Sequence, residues 1–194
     1  YNLIEKCDFI AIGGAMANTF LFAKGIDVGI SLFEKNSIKI ALSIMKKAEK
    51  IGCKIILPKD VVCAENLYDT KNIKQVNVES ILSNQMVLDI GENTVKEIIL
   101  YILKSKAILW NGPMGAFEYK PFDKSSITIA NVINKHIKSD ILTIAGGGDT
   151  ISVINIAKAK NGFTYLSVAG GAFLEWLEGK DSPGVDALKN NKTN

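Results

Sequence analysis

The segment best suited to chemistry is AGGGDT, residues 145–150, in which three glycines precede an acid. A glycine turn that opens a helix exposes backbone N–H groups at the positive end of the helix dipole, where phosphate oxygens bind. Asp149 would repel a bare polyphosphate, but Mg²⁺ between its carboxylate and the phosphates removes this conflict, because magnesium prefers oxygen ligands. The residues alone leave an alternative open, in which Asp149 is an ordinary N-cap.

A second candidate is LWNGPMGAFE, residues 109–118. Pro113 fixes φ, Gly112 allows unusual backbone angles, and Asn111 places an amide at the end of the preceding strand. Glu118 follows, where its carboxylate can accept hydrogen bonds from the hydroxyls of a sugar. A tight turn with a solvated glutamate explains the same residues equally well.

A third glycine turn, IGGAMAN at residues 12–18, is a weaker signal. Gly13 and Gly14 follow a short apolar run, and a purely structural turn is the favoured interpretation of this segment alone. The chain has no GxGxxG motif there and no Walker A lysine. His136, the one histidine, is interpreted as a surface residue, and no catalytic dyad or triad can be assembled from the sequence.

Short apolar segments that alternate with helical patterns must position these turns. The apolar segments are DFIAIGG, CKIILP, MVLDIG, KAILWNG, DILTIAG and FTYLSVA. One helix is predicted after the first glycine turn, and a second is predicted to end at Gly52. A third is predicted from about Thr94 to Lys104, a fourth after an N-cap at Asp123, and a fifth is predicted to end at Gly179. The segment DVVCAEN is expected to add an edge strand, and residues 67–85 are expected to form a long irregular connection.

This alternation predicts a three-layer α/β fold, in which helices cover both faces of a mostly parallel sheet. In such a sheet the glycine turns all fall at the carboxyl ends of strands, so we expect them to meet along one edge, where ligands bind. The sequence therefore predicts a binding site more clearly than it predicts a reaction.

Composition narrows the function classes. The chain has 194 residues, 47% of them hydrophobic, and a formal net charge of +3, so we expect one globular domain. Scattered lysines do not favour a nucleic-acid or membrane surface, and no apolar run has the length of a membrane span. The three cysteines, Cys7, Cys53 and Cys63, form no CxxC pair, so neither a disulfide framework nor a zinc site is favoured and a reducing cytosol is expected.

The order of IGGAMANTFL, VLDIG, LWNGPMGAFE, AGGGDT and SVAGGAFLEWLEGKDSPGV resembles phosphoglycerate kinase, specifically its carboxyl-terminal, nucleotide-binding lobe. The resemblance implies that residues 1–188 form this Rossmann-like lobe and that 189–194 are a polar tail. It also implies that the amino-terminal substrate lobe is absent from this chain. The implied enzyme is a cytoplasmic kinase of glycolysis that transfers a phosphoryl group from 1,3-bisphosphoglycerate to ADP, giving 3-phosphoglycerate and ATP.

The resemblance also implies roles for individual residues. Gly13 and Gly14 would line the adenine slot, and Glu118 would hold the ribose. The residues that would border the nucleotide between them are Asn111, Gly112 and Pro113.

At the phosphates, the resemblance implies that Asp149 approaches the Mg²⁺ of Mg-ADP or Mg-ATP. The residues that would meet the phosphates are Gly147, Gly148 and Thr150. Gly170 and Gly171 would be the catalytic positions, at a helix start that faces the transferred group.

We expect this chain to be a monomer that binds ADP or ATP and is inactive alone, because 3-phosphoglycerate and 1,3-bisphosphoglycerate would need the missing lobe. Two other interpretations stay open. One is a stand-alone, non-catalytic nucleotide-binding module, and the other is an unrelated α/β domain with an interaction role.

Overall fold

The computed structural model describes residues 2–69, 71–136 and 141–168 of the chain. The predicted positions Gly170 and Gly171, the helix predicted to end at Gly179 and the polar tail therefore lie outside the described residues. The helices are α1 Gly14–Ala23, α2 Ile38–Ile51, α3 Glu92–Ile102, α4 Lys124–His136 and α5 Gly148–Ile156. The strands are β1 Phe9–Ala11, β2 Lys54–Ile56, β3 Asp60–Ala64, β4 Lys74–Asn77, β5 Met86–Ile90, β6 Ala107–Asn111, β7 Leu142–Gly146 and β8 Tyr165–Ser167.

The fold is mixed α/β, and its parallel sheets are flanked by helices, as predicted. Strand β1 pairs in parallel with β2, and β7 lies between β6 and β8 in a second parallel sheet. Helix ends follow the predicted signals. Gly52 ends α2 in the left-handed conformation with φ of +81°, and the Asp123 carbonyl accepts the Ile127 N–H at 3.0 Å, as an N-cap residue does.

A three-stranded antiparallel sheet departs from the prediction, because β3 lies between β4 and β5. The segment DVVCAEN is thus a central strand, and the expectation of an edge strand was wrong. Residues 67–85 also contain β4, so they are not wholly irregular. Strand β4 escaped prediction because Val76 is its one apolar residue, and a single apolar residue cannot show a period.

The largest apolar cluster of the described residues packs around the β6–β7–β8 sheet, and it also includes residues of α3, β2 and β5. Trp110 of β6 and Ala145 of β7 belong to it, together with Ile133 of α4 and Ile154 of α5. These side chains are at most 5% exposed, so the strands and helices that carry the glycine turns are fixed by close packing. Among the described residues, no helix is both long enough and apolar enough to cross a membrane.

Candidate functional site

The register of the second parallel sheet aligns the ends of three strands. Asn111 of β6 is paired with Gly146 of β7, and Gly146 is paired with Ser167 of β8. Because all three strands run in the same direction, the turns that leave them begin at the same edge of the sheet. The two strongest sequence motifs are therefore neighbours in space, as predicted.

Gly147 makes the turn from β7 into α5. Its φ of +94° lies in the region that favours glycine, and a Cβ built on it would be 3.6 Å from both Asn111 Nδ2 and Thr150 Oγ1. Its N–H donates to the Ser167 carbonyl at 3.0 Å. Gly147 therefore contributes the shape of the turn, and its own N–H is already used by the end of β8.

The first turn of α5 supplies the exposed part of the site. Gly148 and Asp149 are exposed, and a Cβ built on Gly148 would meet no atom of the described residues within 4 Å. The first N–H groups of a helix have no partner within the helix, so this open surface faces the positive end of α5. Gly147 occupies the N-cap position and Asp149 lies in the first turn. Asp149 is therefore not the N-cap residue of α5, which was the alternative interpretation.

Thr150 joins the two motifs. Its side chain is fully buried, and its Oγ1 accepts the Gly112 N–H at 2.7 Å. The Trp110 Nε1–H donates to the Gly112 carbonyl at 2.7 Å, so both backbone groups of this glycine are held. Gly112 has φ of +87°, which a residue with a side chain adopts only under strain.

Residues 111–117, called the 111–117 loop below, are fixed at their far end as well. The Met114 N–H donates to Ser126 Oγ at 2.8 Å, and the Ala116 N–H donates to the Leu88 carbonyl at 2.8 Å. Pro113 is half-buried, whereas Asn111 is exposed at the start of the loop. The loop is thus held by hydrogen bonds to α5, α4 and β5.

The glycine turn after β1 packs against the same loop. The Gly14 N–H donates to the Met114 carbonyl at 2.9 Å, and a Cβ on Gly13 would lie 2.9 Å from Met114 Cα. Gly14 has φ of +58°. The structure therefore brings Gly13 and Gly14 to the site, and it gives Gly13 a packing reason to be glycine.

Glu118 is not joined to the other candidate residues. It is exposed in the turn after the 111–117 loop, and among the described residues no hydrogen bond links its carboxylate to them. Its place beyond the loop leaves the carboxylate open to solvent.

Asp89 is a residue that sequence reasoning missed. It is 2% exposed, and its carboxylate accepts the Ser125 N–H at 3.1 Å, the Ser125 hydroxyl and the Ile90 N–H at 2.9 Å. The pKa of Asp89 is raised to about 7, mainly because burial disfavours the charged form; the hydrogen bonds from Ser125 and Ile90 oppose this rise, and the nearby Asp123 carboxylate adds to it. The available signal was an acid inside the apolar run MVLDIG, because a buried charge needs partners.

Asp149 is the candidate for contact with a metal ion. Among the described residues, no group of three or more histidine, cysteine, aspartate or glutamate side chains can hold an ion. A single exposed carboxylate suits Mg²⁺ that arrives with phosphate oxygens and keeps its waters, rather than an ion bound by the protein alone.

Comparison with known proteins agrees with this arrangement. The phosphoglycerate kinase family model matches residues 1–180. The chain is 44% identical to the phosphoglycerate kinase of Zymomonas mobilis and 47% identical to that of Brucella abortus, each over 189 residues. In both cases the match covers 97% of this chain and 48% of the relative, so the chain spans about half the length of these relatives.

Solved structures give the same result. The phosphoglycerate kinase of Coxiella burnetii matches with a TM-score of 0.87 at 36% identity, over 92% of this chain and 46% of that chain. The enzyme of Pyrococcus horikoshii matches with a TM-score of 0.80 at 26% identity, over 97% of this chain and 47% of that chain. Fold and site define an α/β lobe with a glycine-lined edge. The chain belongs to the phosphoglycerate kinase family.

Proposed function

We propose that this chain is the nucleotide-binding lobe of a phosphoglycerate kinase and binds Mg-ADP and Mg-ATP. The observation that carries the proposal is the exposed first turn of α5, which presents Gly148 and Asp149 beside the ends of β6 and β8. An anion gains from the helix dipole at this position, and a metal ion reconciles the anion with the carboxylate.

In this proposal the base and sugar lie along the 111–117 loop. Gly13 and Gly14 line the adenine slot, and Glu118 accepts hydrogen bonds from the ribose hydroxyls. The exposed amide of Asn111 and the rigid backbone of Gly112 and Pro113 border the nucleotide between them.

The phosphates lie over the start of α5 in this proposal, where Gly147, Gly148 and Thr150 shape their site. Asp149 holds the Mg²⁺ that accompanies them. Gly170 and Gly171 are proposed to face the transferred group. Bound Mg²⁺ supplies neutralisation of phosphate charge, and the protein supplies position and backbone donors, as phosphoryl transfer requires.

In the whole protein, the proposed reaction is transfer of a phosphoryl group from 1,3-bisphosphoglycerate to ADP, giving 3-phosphoglycerate and ATP. The chain spans about half the length of its relatives, and the three-carbon substrates are assigned to a lobe outside it. We propose that this chain, a cytoplasmic monomer when isolated, binds Mg-nucleotide without turnover.

Titration calorimetry of the chain with Mg-ADP tests the nucleotide site. We expect binding that chelation of Mg²⁺ weakens, and that Asp149→Asn weakens about tenfold by removing a charge-assisted contact. Glu92→Gln is the matched control, because Glu92 is also an exposed acid in the first turn of a helix, α3. Lack of heat at millimolar Mg-ADP contradicts the proposal.

A coupled assay tests the reaction. Incubation of the purified chain with 1,3-bisphosphoglycerate and Mg-ADP should form no ATP, whereas the longer natural polypeptide should form it. ATP formed by the chain alone contradicts the proposed inactivity. Nucleotide binding without any transfer, by the chain and by the longer polypeptide alike, would instead identify a non-catalytic nucleotide-binding module.

A further inference from the structure

We propose that Asp89 is a positioning residue of the nucleotide site, which sets the place of the 111–117 loop through α4 and through Gly115. The proposal deepens the nucleotide-binding function given above and rests on it. It concerns a side chain that the proposed contacts with nucleotide do not use.

The carboxylate of Asp89 contacts three elements at once. It accepts two hydrogen bonds from Ser125, in the first turn of α4, and one from the Ile90 N–H of its own strand. Gly115 of the loop lies so near that a Cβ built on it would be 2.4 Å from Asp89 Oδ1, so a side chain there would clash with the carboxylate. The position of the Asp89 carboxylate therefore limits how closely the loop can approach β5 at Gly115.

The residues next to Asp89 and Ser125 in the chain accept hydrogen bonds from the loop. Ser126, which follows Ser125 on α4, accepts the Met114 N–H at 2.8 Å. Leu88, which precedes Asp89 on β5, accepts the Ala116 N–H at 2.8 Å. The two elements that Asp89 ties together are thus the two that hold the loop on either side of Gly115.

Asp60 is a second buried aspartate with similar chemistry and a different neighbour. It is 2% exposed, and its carboxylate accepts the Thr94 N–H at 2.8 Å, the Thr94 hydroxyl at 2.6 Å and the Asn93 N–H at 3.0 Å, at the start of α3. A Cβ on Gly91 would lie 2.3 Å from its Cγ. Asp60 therefore holds a strand to the start of a helix as Asp89 does, but its further partner is Gln75 of β4, whose Nε2–H donates to it at 3.0 Å, and not the 111–117 loop.

The pair defines a controlled experiment with Asp89→Asn and Asp60→Asn in this chain. An amide in place of either carboxylate replaces one acceptor oxygen by an NH2 donor that faces an N–H donor, so both variants should lose stability in urea unfolding. Hydrogen exchange of the Met114 and Ala116 amides without nucleotide reports on the loop, and titration with Mg-ADP reports on the site.

We expect Asp89→Asn to raise loop exchange about tenfold beyond the change in global stability and to weaken Mg-ADP binding about tenfold, the cost of one lost buried hydrogen bond. Asp60→Asn should leave both within about twofold. If the two variants alter the loop and the affinity equally after correction for stability, Asp89 is merely structural and the proposal is overturned.

Ser125→Ala keeps the experiment decisive if Asp89→Asn does not fold. It removes one donor to Asp89 and leaves the Ser125 backbone N–H, so a smaller increase in loop exchange supports the proposal, and exchange equal to that of the parent chain overturns it. If the parent chain does not bind Mg-ADP, the proposed function fails, while loop exchange still decides the role of Asp89.

Discussion

At the scale of single residues, the glycines of the site differ in what they do. A side chain on Gly13 would meet the Met114 backbone, whereas one on Gly148 would meet nothing among the described residues. The first glycine is required for packing, and the second leaves room beside the start of α5. The sequence shows two glycine turns and cannot show this difference, which depends on residues distant in the chain.

This difference predicts that alanine at Gly13 lowers stability, whereas alanine at Gly148 lowers nucleotide affinity. Gly13→Ala should lower the free energy of unfolding by about 1–3 kcal/mol, because the loop must move away from an added Cβ. Gly148→Ala should change it by no more than about 0.5 kcal/mol but should weaken Mg-ADP binding, because the methyl group enters the space proposed for phosphate. Urea unfolding and titration calorimetry of both variants measure the two effects. Equal loss of stability in both would contradict the assignment.

The raised pKa of Asp89 predicts a pH dependence of stability. The ordinary value is 3.8 and the folded value is about 7, so between these values the folded state binds the proton that the unfolded state has released. This group therefore makes stability fall as pH rises from about 4 to 7, with its full cost above pH 7. Asp123, the neighbouring carboxylate, acts in the same direction because its charge disfavours ionisation of Asp89.

Asp89→Asn removes this titration. The difference in unfolding free energy between parent and variant, measured from pH 4 to pH 8, should shift in favour of the variant as the pH rises. A difference that does not depend on pH would mean that Asp89 is ionised throughout. Glu92, whose pKa is lowered by its hydrogen bond and ion pair with Lys124, is retained in both proteins and cancels in the comparison.

At the scale of elements, the sequence predicted the helices of the described residues and the strands other than β4, because buried strands and glycine-ended helices leave local patterns. It could not predict that β3 lies between β4 and β5, because these strands are short and their sequences do not show which strand each pairs with. Nor could it predict the bond from Gly112 to Thr150, which connects β6 to the start of α5. Such contacts depend on register, and register is settled by the whole sheet.

Thr150→Val tests this connection between two elements. Valine keeps the shape but leaves the Gly112 N–H without its acceptor, so we expect a loss of about 1–3 kcal/mol in unfolding free energy and weaker Mg-ADP binding. Thr150→Ser retains the hydroxyl and should keep most of the affinity. Thr128→Val is the matched control, because the Thr128 hydroxyl is exposed on α4 and bonds only the helix carbonyl of Lys124. Mg-ADP affinity unchanged in Thr150→Val would show that the loop keeps its place without this bond.

At the scale of the whole molecule, the described sheets place Gly13 and Gly14, the 111–117 loop and α5 at one site. Sequence reasoning predicted this convergence because parallel strands share a direction. Among the residues it identified are Asn111, Glu118, Gly148 and Asp149, which are exposed and look like ligand contacts. It missed Asp89 because its partners on α4 and its contact with Gly115 arise from tertiary packing.

The hydrogen bond from Gly14 to Met114 has a further consequence for the time course of folding. It closes a very long loop in the chain, and the pairing of parallel β6, β7 and β8 adds further distant contacts. Contacts of this kind cost loop entropy before they return any stability, so they form late. A nascent chain therefore acquires its helices well before it acquires a site, and capture of nucleotide during refolding would mark the final step rather than an early one.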